Sequence, residues 1–219
     1  MSTFLAYSSA ASVIIPIVIY FIGGRYNGTN KWIFILTVTS LVADIANVLY
    51  LKAGFTGYTI LNIFFLVQIF LLSVIYARLL DEPDHVGGLF LCFFSIWVIN
   101  FLFMQPISEY QSLLRLLGNA LVLGYAISYY HRIYKVMPIK DIKTYGPVWF
   151  NNAVLYYFSL NFFLFAATHY IVTSESSDVA IIFWGFHNFN NIIKNCLYAV
   201  AIYYGGKIVS RVPTESKYY

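Results

Sequence analysis

The sequence predicts an all-α integral membrane protein, a seven-transmembrane-helix bundle formed by one domain. Of its 219 residues, 60% are hydrophobic and only 10% are charged, and the mean hydropathy is +0.73. A soluble domain carries roughly 25% charged residues, so most of the surface of this chain is expected to face lipid. The 20 tyrosines fit the same class, because tyrosine is enriched where the bilayer meets water.

The individual spans follow from the length of the apolar segments. A helix crosses the hydrocarbon core with about 20 mostly apolar residues. The fourth and fifth segments are separated clearly only by Gln105 and Pro106, so a six-helix bundle is the main alternative. No basic residue precedes the first apolar run, and we expect this segment to be retained rather than cleaved as a signal peptide. The seven predicted spans are residues 4–23, 32–51, 56–80, 86–104, 107–130, 148–172 and 179–208.

The positions of lysine and arginine predict the orientation. Arg25, Lys31, Arg78, the loop after the fifth span and the C-terminal tail lie on one side, whereas the other side has little beyond Lys52. The positive-inside rule then places the N-terminus outside and the C-terminus in the cytoplasm. The expected location is the cell membrane, meaning an inner or plasma membrane. The loop cations are Arg132, Lys135, Lys140 and Lys143.

The same basic loop, residues 132–143, and the C-terminal tail are the expected docking points for a separate cytoplasmic signalling protein. Positive charge that only fixes the orientation explains the loop equally well. The net charge of +4 is small and is spread over loops, so the sequence does not indicate nucleic-acid binding. The lipid bilayer is the expected partner of the whole surface, and a homo-oligomer is compatible with it.

Polar side chains at membrane depth are the candidates for a functional site, because burying them there is costly. Asp44 lies near the middle of the second span and Lys194 near the middle of the seventh. With a rise of ~1.5 Å per residue, the two residues sit at similar depth, so an ion pair is feasible. The two residues either neutralise each other or line a ligand or ion site, or the lysine extends to the interface or stays neutral, and the sequence leaves these alternatives open.

The seventh span carries the densest polar stripe. Its members recur at spacings of three and four residues, so they share one helix face, with Asn195 beside it. The stripe is either hydrogen-bonding glue between helices or the wall of a polar cavity. Arg115 on the fifth span either binds an anion from outside, reaches the headgroups or pairs with Glu109. The stripe is His187, Asn190, Asn191, Lys194 and Tyr198, and the other candidates are Asn62, Gln68, Asn151, Asn152 and Tyr156.

The candidates do not indicate an enzyme. A catalytic zinc site needs about three protein ligands, whereas Asp44 is the only acid deep within a predicted span. No phosphate-binding loop or Ser–His–Asp arrangement is visible. We therefore expect no catalytic residue, no metal ion and no cofactor, apart from the retinal alternative.

Seven spans, an outside N-terminus and Lys194 midway along the last span resemble the rhodopsin layout. The resemblance implies retinal bound to Lys194 as a Schiff base, with Asp44 as counter-ion. It is confined to topology and this one lysine. The third span has no acid, and Asn190 stands where microbial rhodopsins usually carry Asp or Ser four residues before the lysine.

The preferred prediction is a membrane receptor or sensor, whose polar core binds a small or amphipathic ligand and which signals through a cytoplasmic partner. The first alternative is a transporter or channel for a small solute or ion, in which Asp44 and Lys194 gate or exchange charge. The second is the retinal pigment on Lys194, and a subunit of a larger complex is a further one. The sequence has no evident internal repeat or Gly/Pro-broken helix pair, which favours the sensor over the transporter.

Overall fold

The computed structural model describes residues 2–24, 28–136, 142–174 and 177–209, and within these ranges the regular structure is entirely helical. Arg25, Lys140 and the tail beyond Val209 lie outside the described residues. A π-helical turn, Tyr20–Gly24, follows α2, and a 3₁₀ turn, Ile142–Thr144, precedes α7. The helices are α1 (Ser2–Ser12), α2 (Ile14–Ile19), α3 (Gly28–Lys52), α4 (Tyr58–Leu80), α5 (Pro83–Phe103), α6 (Ser112–Val136), α7 (Gly146–Ser174) and α8 (Ser177–Val209).

Five helical segments of the described chain are long and apolar enough to cross a membrane, which confirms the predicted all-α membrane protein. The first of them comprises α1, α2 and most of the π-helical turn. Their mean hydropathies range from 1.2 to 2.4, as expected for helices that face lipid. The segments are Phe4–Gly23, Gly28–Lys52, Tyr58–Leu80, Pro83–Phe103 and Ser112–Lys135.

The N-terminal segment is an interrupted helix. A turn at Val13 separates α1 from α2, and the π-helical turn begins at Tyr20. Pro16 lies between them and is buried. Because proline has no N–H, it cannot bond the carbonyl of Ser12 one turn earlier, and its ring crowds that turn. The interruption at Val13 thus lies within one turn of Pro16, as expected for a proline inside a helix.

The packing order places α8 at the junction of the bundle. It packs against α7 on one side, against α1, α2 and the π-helical turn on the other, and it also contacts α3. Helix α4 packs against α3, α5 and α6, and α6 packs in turn against α7. Half of the central part of α4 is buried, compared with 17% for α5. Helix α4 is therefore an inner helix and α5 a peripheral one.

The loop between α5 and α6 differs from the prediction, because α6 begins at Ser112 rather than at residue 107. The side-chain amide of Asn62 in α4 donates to the carbonyl oxygens of Ile107 (2.9 Å) and Glu109 (2.7 Å). These carbonyl groups are used in contacts with α4, so the loop backbone there is not free to continue a helix. The loop consequently folds against the first turns of α4.

Helices α7 and α8 approach each other closely where α7 begins. A Cβ atom added to Gly146 would lie 2.5 Å from the Ala201 carbonyl oxygen and 2.9 Å from the Gly205 Cα. Asn30 of α3 joins the same contact, since its Nδ2 donates to the Ile202 carbonyl oxygen at 2.9 Å. Glycine is required at position 146 because a side chain would push the two backbones apart.

Candidate functional site

A polar cavity of about 90 Å³ lies between α3, α4, α6, α7 and α8. Six of the predicted site residues line it, and they come from four helices that are distant in sequence. Aromatic rings form much of the remaining wall. The predicted residues are Asp44, Gln68, Arg115, His187, Asn191 and Lys194, and the others are Ser40, Leu61, Phe64, Phe65, Tyr110, Tyr157 and Trp184.

Lys194 presents a buried ammonium group to this cavity. The residue is 4% exposed, and its Nζ lies 4.4 Å from the centre of the Tyr157 ring and 5.8 Å from that of Tyr198. Tyr198 follows Lys194 by four residues on α8, whereas Tyr157 is supplied by α7. The faces of aromatic rings attract cations, so these two rings hold the ammonium group without neutralising its charge.

Asp44 lines the same cavity, as its matching depth suggested. The two charged groups nevertheless make no direct ion pair, because no carboxylate–ammonium distance between them falls within 4.0 Å. Within the described ranges, no hydrogen bond joins Lys194 to another side chain either. Asp44 and Lys194 therefore face a shared space rather than each other directly.

Arg115 is the second buried cation at the cavity, with 7% of its surface exposed. Its Nη2 donates to the Asn62 side-chain oxygen at 3.2 Å. The guanidinium carbon lies 5.1 Å from the centre of the Phe65 ring and 4.8 Å from that of Tyr110. Because these neighbours enclose the group, Arg115 points into the bundle and does not extend to the lipid headgroups.

His187 connects the cavity to α7. Asn161 Nδ2 donates to the Tyr157 carbonyl oxygen at 2.8 Å, which leaves Asn161 Oδ1 as the acceptor for His187 Nδ1 at 3.1 Å. The His187 ring also packs edge-on against Trp184, with ring centres 5.5 Å apart. These contacts fix the orientation of the imidazole. A rigid, hydrogen-bonded imidazole thus forms part of the wall.

The other predicted site residues lie outside the cavity lining, and most of them fasten helices together. Tyr156 of α7 donates to Asn190 of α8 at 3.0 Å, and Tyr130 of α6 donates to Asn152 of α7. The Asn195 amide donates to Ser12 at 2.8 Å, which connects α8 to α1. The bonds of Asn190 and Asn195 join neighbouring helices, which is one of the two roles that the sequence analysis considered for the polar stripe.

Two further predicted residues, Asn151 and Asn191, differ in whether they only join helices or also line the cavity. Asn151 is fully buried; it accepts a hydrogen bond from Tyr76 at 2.7 Å and donates to the Ala126 carbonyl oxygen at 3.1 Å. It therefore ties α7 to both α4 and α6. Asn191 lines the cavity and also donates to Ser9 of α1 at 2.8 Å, so it serves both purposes.

The sequence-based prediction missed several cavity residues that carry useful chemistry. Ser40 lies one turn before Asp44 on α3, and Trp184 lies one turn before His187 on α8. Their spacing from recognised candidates was a usable signal, because residues three or four apart share a helix face. Tyr110 had no such signal, since it belongs to the loop before α6.

A second, larger recess lies where α4 ends and α6 nears its own end. It has a volume of about 690 Å³ and is bounded by acidic and basic side chains. Arg132 Nη2 lies 3.5 Å from the Asp81 carboxylate across it. The first part of the predicted docking loop, including Lys135, thus borders this recess.

No protein-family model matches the chain, and neither the curated proteins nor the solved structures contain a significant match. Among the described residues, those that line the cavity offer the cations of Arg115 and Lys194, the carboxylate of Asp44, amides and hydroxyl groups. In the described ranges, no three His, Cys, Asp or Glu side chains gather closely enough to hold a metal ion. The arrangement can bind a small polar or charged molecule through hydrogen bonds and charge.

Proposed function

We propose that the protein is a membrane sensor with seven spans, whose interior site binds a small polar ligand. The observation that carries the proposal is the cavity shared by Asp44, Arg115 and Lys194. Charged side chains at membrane depth are costly, and their usual reason for being there is function. The five segments already identified as apolar are joined in this proposal by α7 and α8 as the sixth and seventh spans.

The site is placed so that its occupancy can alter the bundle. Side chains from α3, α4, α6, α7 and α8 meet there, and a ligand that contacts all of them favours one relative position of these helices. If the bundle has two arrangements of these helices, a ligand shifts the equilibrium between them only by binding one arrangement more tightly than the other. We expect bound ligand to draw the Asp44 and Lys194 helices towards it.

The volume of the site favours a small ligand over an amphipathic one. Pockets for drug-sized ligands measure about 300–1,000 Å³, whereas this cavity measures about 90 Å³. The same comparison argues against retinal on Lys194, whose ammonium is already held by Tyr157 and Tyr198. The retinal pigment stays a prediction that an absorption spectrum after addition of retinal tests directly.

The proposed output is a separate cytoplasmic protein that docks beside the recess at Arg132 and Lys135. The support is the predicted orientation, which places this recess on the cytoplasmic face. Its ion pair between Arg132 and Asp81 joins the end of α6 to the end of α4. A movement of α6 relative to α4 at the ligand site would therefore change the surface offered to the partner.

A transporter is the second candidate, and one observation favours it. The first span is interrupted at Val13 and again at the π-helical turn, and transporters commonly place broken helices at their substrate path. This span packs against α8, which carries Lys194. In this alternative, the same cavity is the midpoint of a path for a small solute or ion.

Native mass spectrometry of the detergent-purified protein tests the ligand site. A bound small molecule in the wild type and in Lys52→Met, but absent from Lys194→Met, is the expected result. Lys52 is a suitable control because it is an exposed lysine at the end of α3. Movement of that molecule across proteoliposomes would assign transport instead of sensing. A wild type that binds nothing, with or without cell extract, would overturn both candidates.

Cysteine labelling in intact cells tests the orientation and whether α5 crosses the membrane. Cys92 and Cys196 are replaced by serine, and single cysteines are introduced as Glu82→Cys before α5 and Ser108→Cys after it. Both positions are exposed. A membrane-impermeant maleimide should label position 108 and leave position 82 unlabelled until the cells are opened. The reverse pattern would contradict the proposed orientation.

A further inference from the structure

We infer that the recess between the end of α4 and the end of α6 binds the headgroup of one phospholipid that carries both a phosphate and a primary ammonium group. Phosphatidylethanolamine represents this class of lipid. The recess has a volume of about 690 Å³, and none of the described residues lines both it and the interior cavity. The inference therefore goes beyond the proposed sensor and does not rest on the interior ligand site.

The recess lies at the depth where phospholipid headgroups are found. Two of the segments that are long and apolar enough to span a membrane end there, at Leu80 and Lys135, and a third begins at Pro83. The headgroup region adds about 5–7 Å to each side of the hydrocarbon core. With a rise of ~1.5 Å per residue, Arg132 lies about one turn before the end of its segment, so it is within reach of this layer.

The recess presents opposite charges on its two sides. Asp81 and Glu82, which follow α4, supply carboxylates, whereas Arg132 and Lys135 of α6 supply cations. Phosphate oxygens accept hydrogen bonds from guanidinium and ammonium groups, and a primary ammonium group donates to carboxylates. A headgroup with both charges therefore suits both sides. Phosphatidylglycerol has the phosphate but no cation, so it would leave the carboxylates facing a negative charge.

The α6 wall of the recess changes from charged to apolar in the direction of the membrane interior. Ile127, His131 and Lys135 all line the recess, and because they are four residues apart they share one helix face. Ile127 is the furthest of them from the end of the span, and 62% of its surface is exposed. A phospholipid has the same order, since its acyl chains continue inwards from its headgroup. This gradient favours a membrane lipid over a soluble phosphate compound.

The ion pair between Arg132 and Asp81 can open to admit the headgroup. Its closest atoms are 3.5 Å apart, and the Asp81 side chain is 84% exposed. Exposed ion pairs of this kind contribute little to stability. The bound headgroup would exchange the pair for one contact from Arg132 to phosphate and one from the lipid ammonium group to Asp81.

The test compares lipids on the purified full chain in detergent. Dioleoyl phosphatidylethanolamine, phosphatidylglycerol and phosphatidylcholine are added singly, and native mass spectrometry measures the number and affinity of bound lipids. We expect one saturable site that prefers phosphatidylethanolamine by about tenfold, because the other two lack the N–H donors of a primary ammonium group. Glycerophosphoethanolamine, which has the headgroup without acyl chains, should bind far more weakly at the same concentration.

Variants locate the site through its headgroup preference. Asp81→Asn combined with Glu82→Gln should abolish the preference for phosphatidylethanolamine over phosphatidylglycerol, whereas Arg132→Gln should weaken the binding of both by about tenfold or more. Asp84→Asn is the matched control, because Asp84 is exposed and is not among the residues that line the recess. The exposed Lys135 offers a second cation variant, Lys135→Gln, if Arg132→Gln fails to fold. A preference is a ratio measured on one folded protein, so a general loss of stability does not change it.

The outcomes distinguish this inference from the proposed function. Equal binding of the three lipids, an unchanged preference in the double carboxylate variant, or equal binding of glycerophosphoethanolamine would overturn the lipid site. Lys194→Met should lose the interior ligand and keep the headgroup preference. A wild type that shows the preference but binds no interior ligand would support the lipid site and refute only the sensor.

Discussion

The ammonium nitrogen of Lys194 lies 4.4 Å from the centre of the Tyr157 ring, and this contact joins α8 to α7 inside the bundle. When both groups are shielded from water, the attraction between a cation and an aromatic face contributes about 2 kcal/mol or more of interaction energy. The ring also fixes where the positive charge lies relative to the cavity. Tyr157 is thus a positioning residue for Lys194.

The first prediction concerns this contact. Tyr157→Leu should lower the free energy of unfolding by about 2–4 kcal/mol, because it removes both the ring face and buried apolar surface. Tyr157→Phe keeps the ring and should lower it by less than about 1 kcal/mol. Reversible unfolding in mixed micelles measures both values. A double-mutant cycle with Lys194→Met that shows no coupling would contradict the contact.

The second prediction concerns the buried bond between Tyr76 and Asn151. Asn151→Leu leaves the Tyr76 hydroxyl buried without its acceptor, which should lower the stability by about 1–3 kcal/mol. Adding Tyr76→Phe removes the stranded hydroxyl and should restore part of that loss. The same unfolding assay applies, and a double variant less stable than Asn151→Leu alone would argue against the bond.

The third prediction concerns the close approach of α7 and α8. Gly146→Ala should lower the stability by about 1–3 kcal/mol, because the new methyl group overlaps the Ala201 carbonyl and the Gly205 backbone. Gly124→Ala is the matched control, since a Cβ there meets nothing within 4 Å. It should be neutral or stabilising by up to about 1 kcal/mol, because alanine is the better helix former. Equal effects at the two positions would refute the close contact.

The fourth prediction concerns the attachment of α1 to α8. Asn195→Ala removes the bond to Ser12, and a loss of about 0.6–1.7 kcal/mol is typical of such bonds in membranes. Ser95→Ala provides a comparison, because the Ser95 hydroxyl bonds only within α5 to the Leu91 carbonyl. Proteolysis of the N-terminal segment should become faster in Asn195→Ala and stay unchanged in Ser95→Ala.

The helices were the most predictable part of the fold. Apolar length alone gave the positions of the segments, because a spanning helix must satisfy its own backbone hydrogen bonds. The start of α6 was predicted five residues too early, at 107 instead of Ser112. The apolar residues in that loop look helical in sequence, and the contacts of Ile107 and Glu109 with Asn62 are long-range ones that composition does not reveal.

Only some of the residues that line the cavity could be predicted from the sequence, and the reason is physical. Depth along a helix can be counted from sequence, which places Asp44 and Lys194 at similar depth, and both residues line the cavity. The rotation of each helix about its axis depends on packing, and it decides which polar residues face the cavity. Asn151 and Asn191 look alike in sequence, yet one ties helices together and the other also lines the cavity.

The cavity draws its decisive cation from the last described helix, and this has a consequence for biosynthesis. A nascent chain that has inserted α3 to α7 already contains Asp44, Arg115 and Tyr157, but it lacks Lys194. If the helices insert in chain order, the part of the cavity wall that α8 supplies would be absent until α8 joins the bundle. In the proposed seven-span protein, the cavity would therefore be completed only after α8 has entered the membrane.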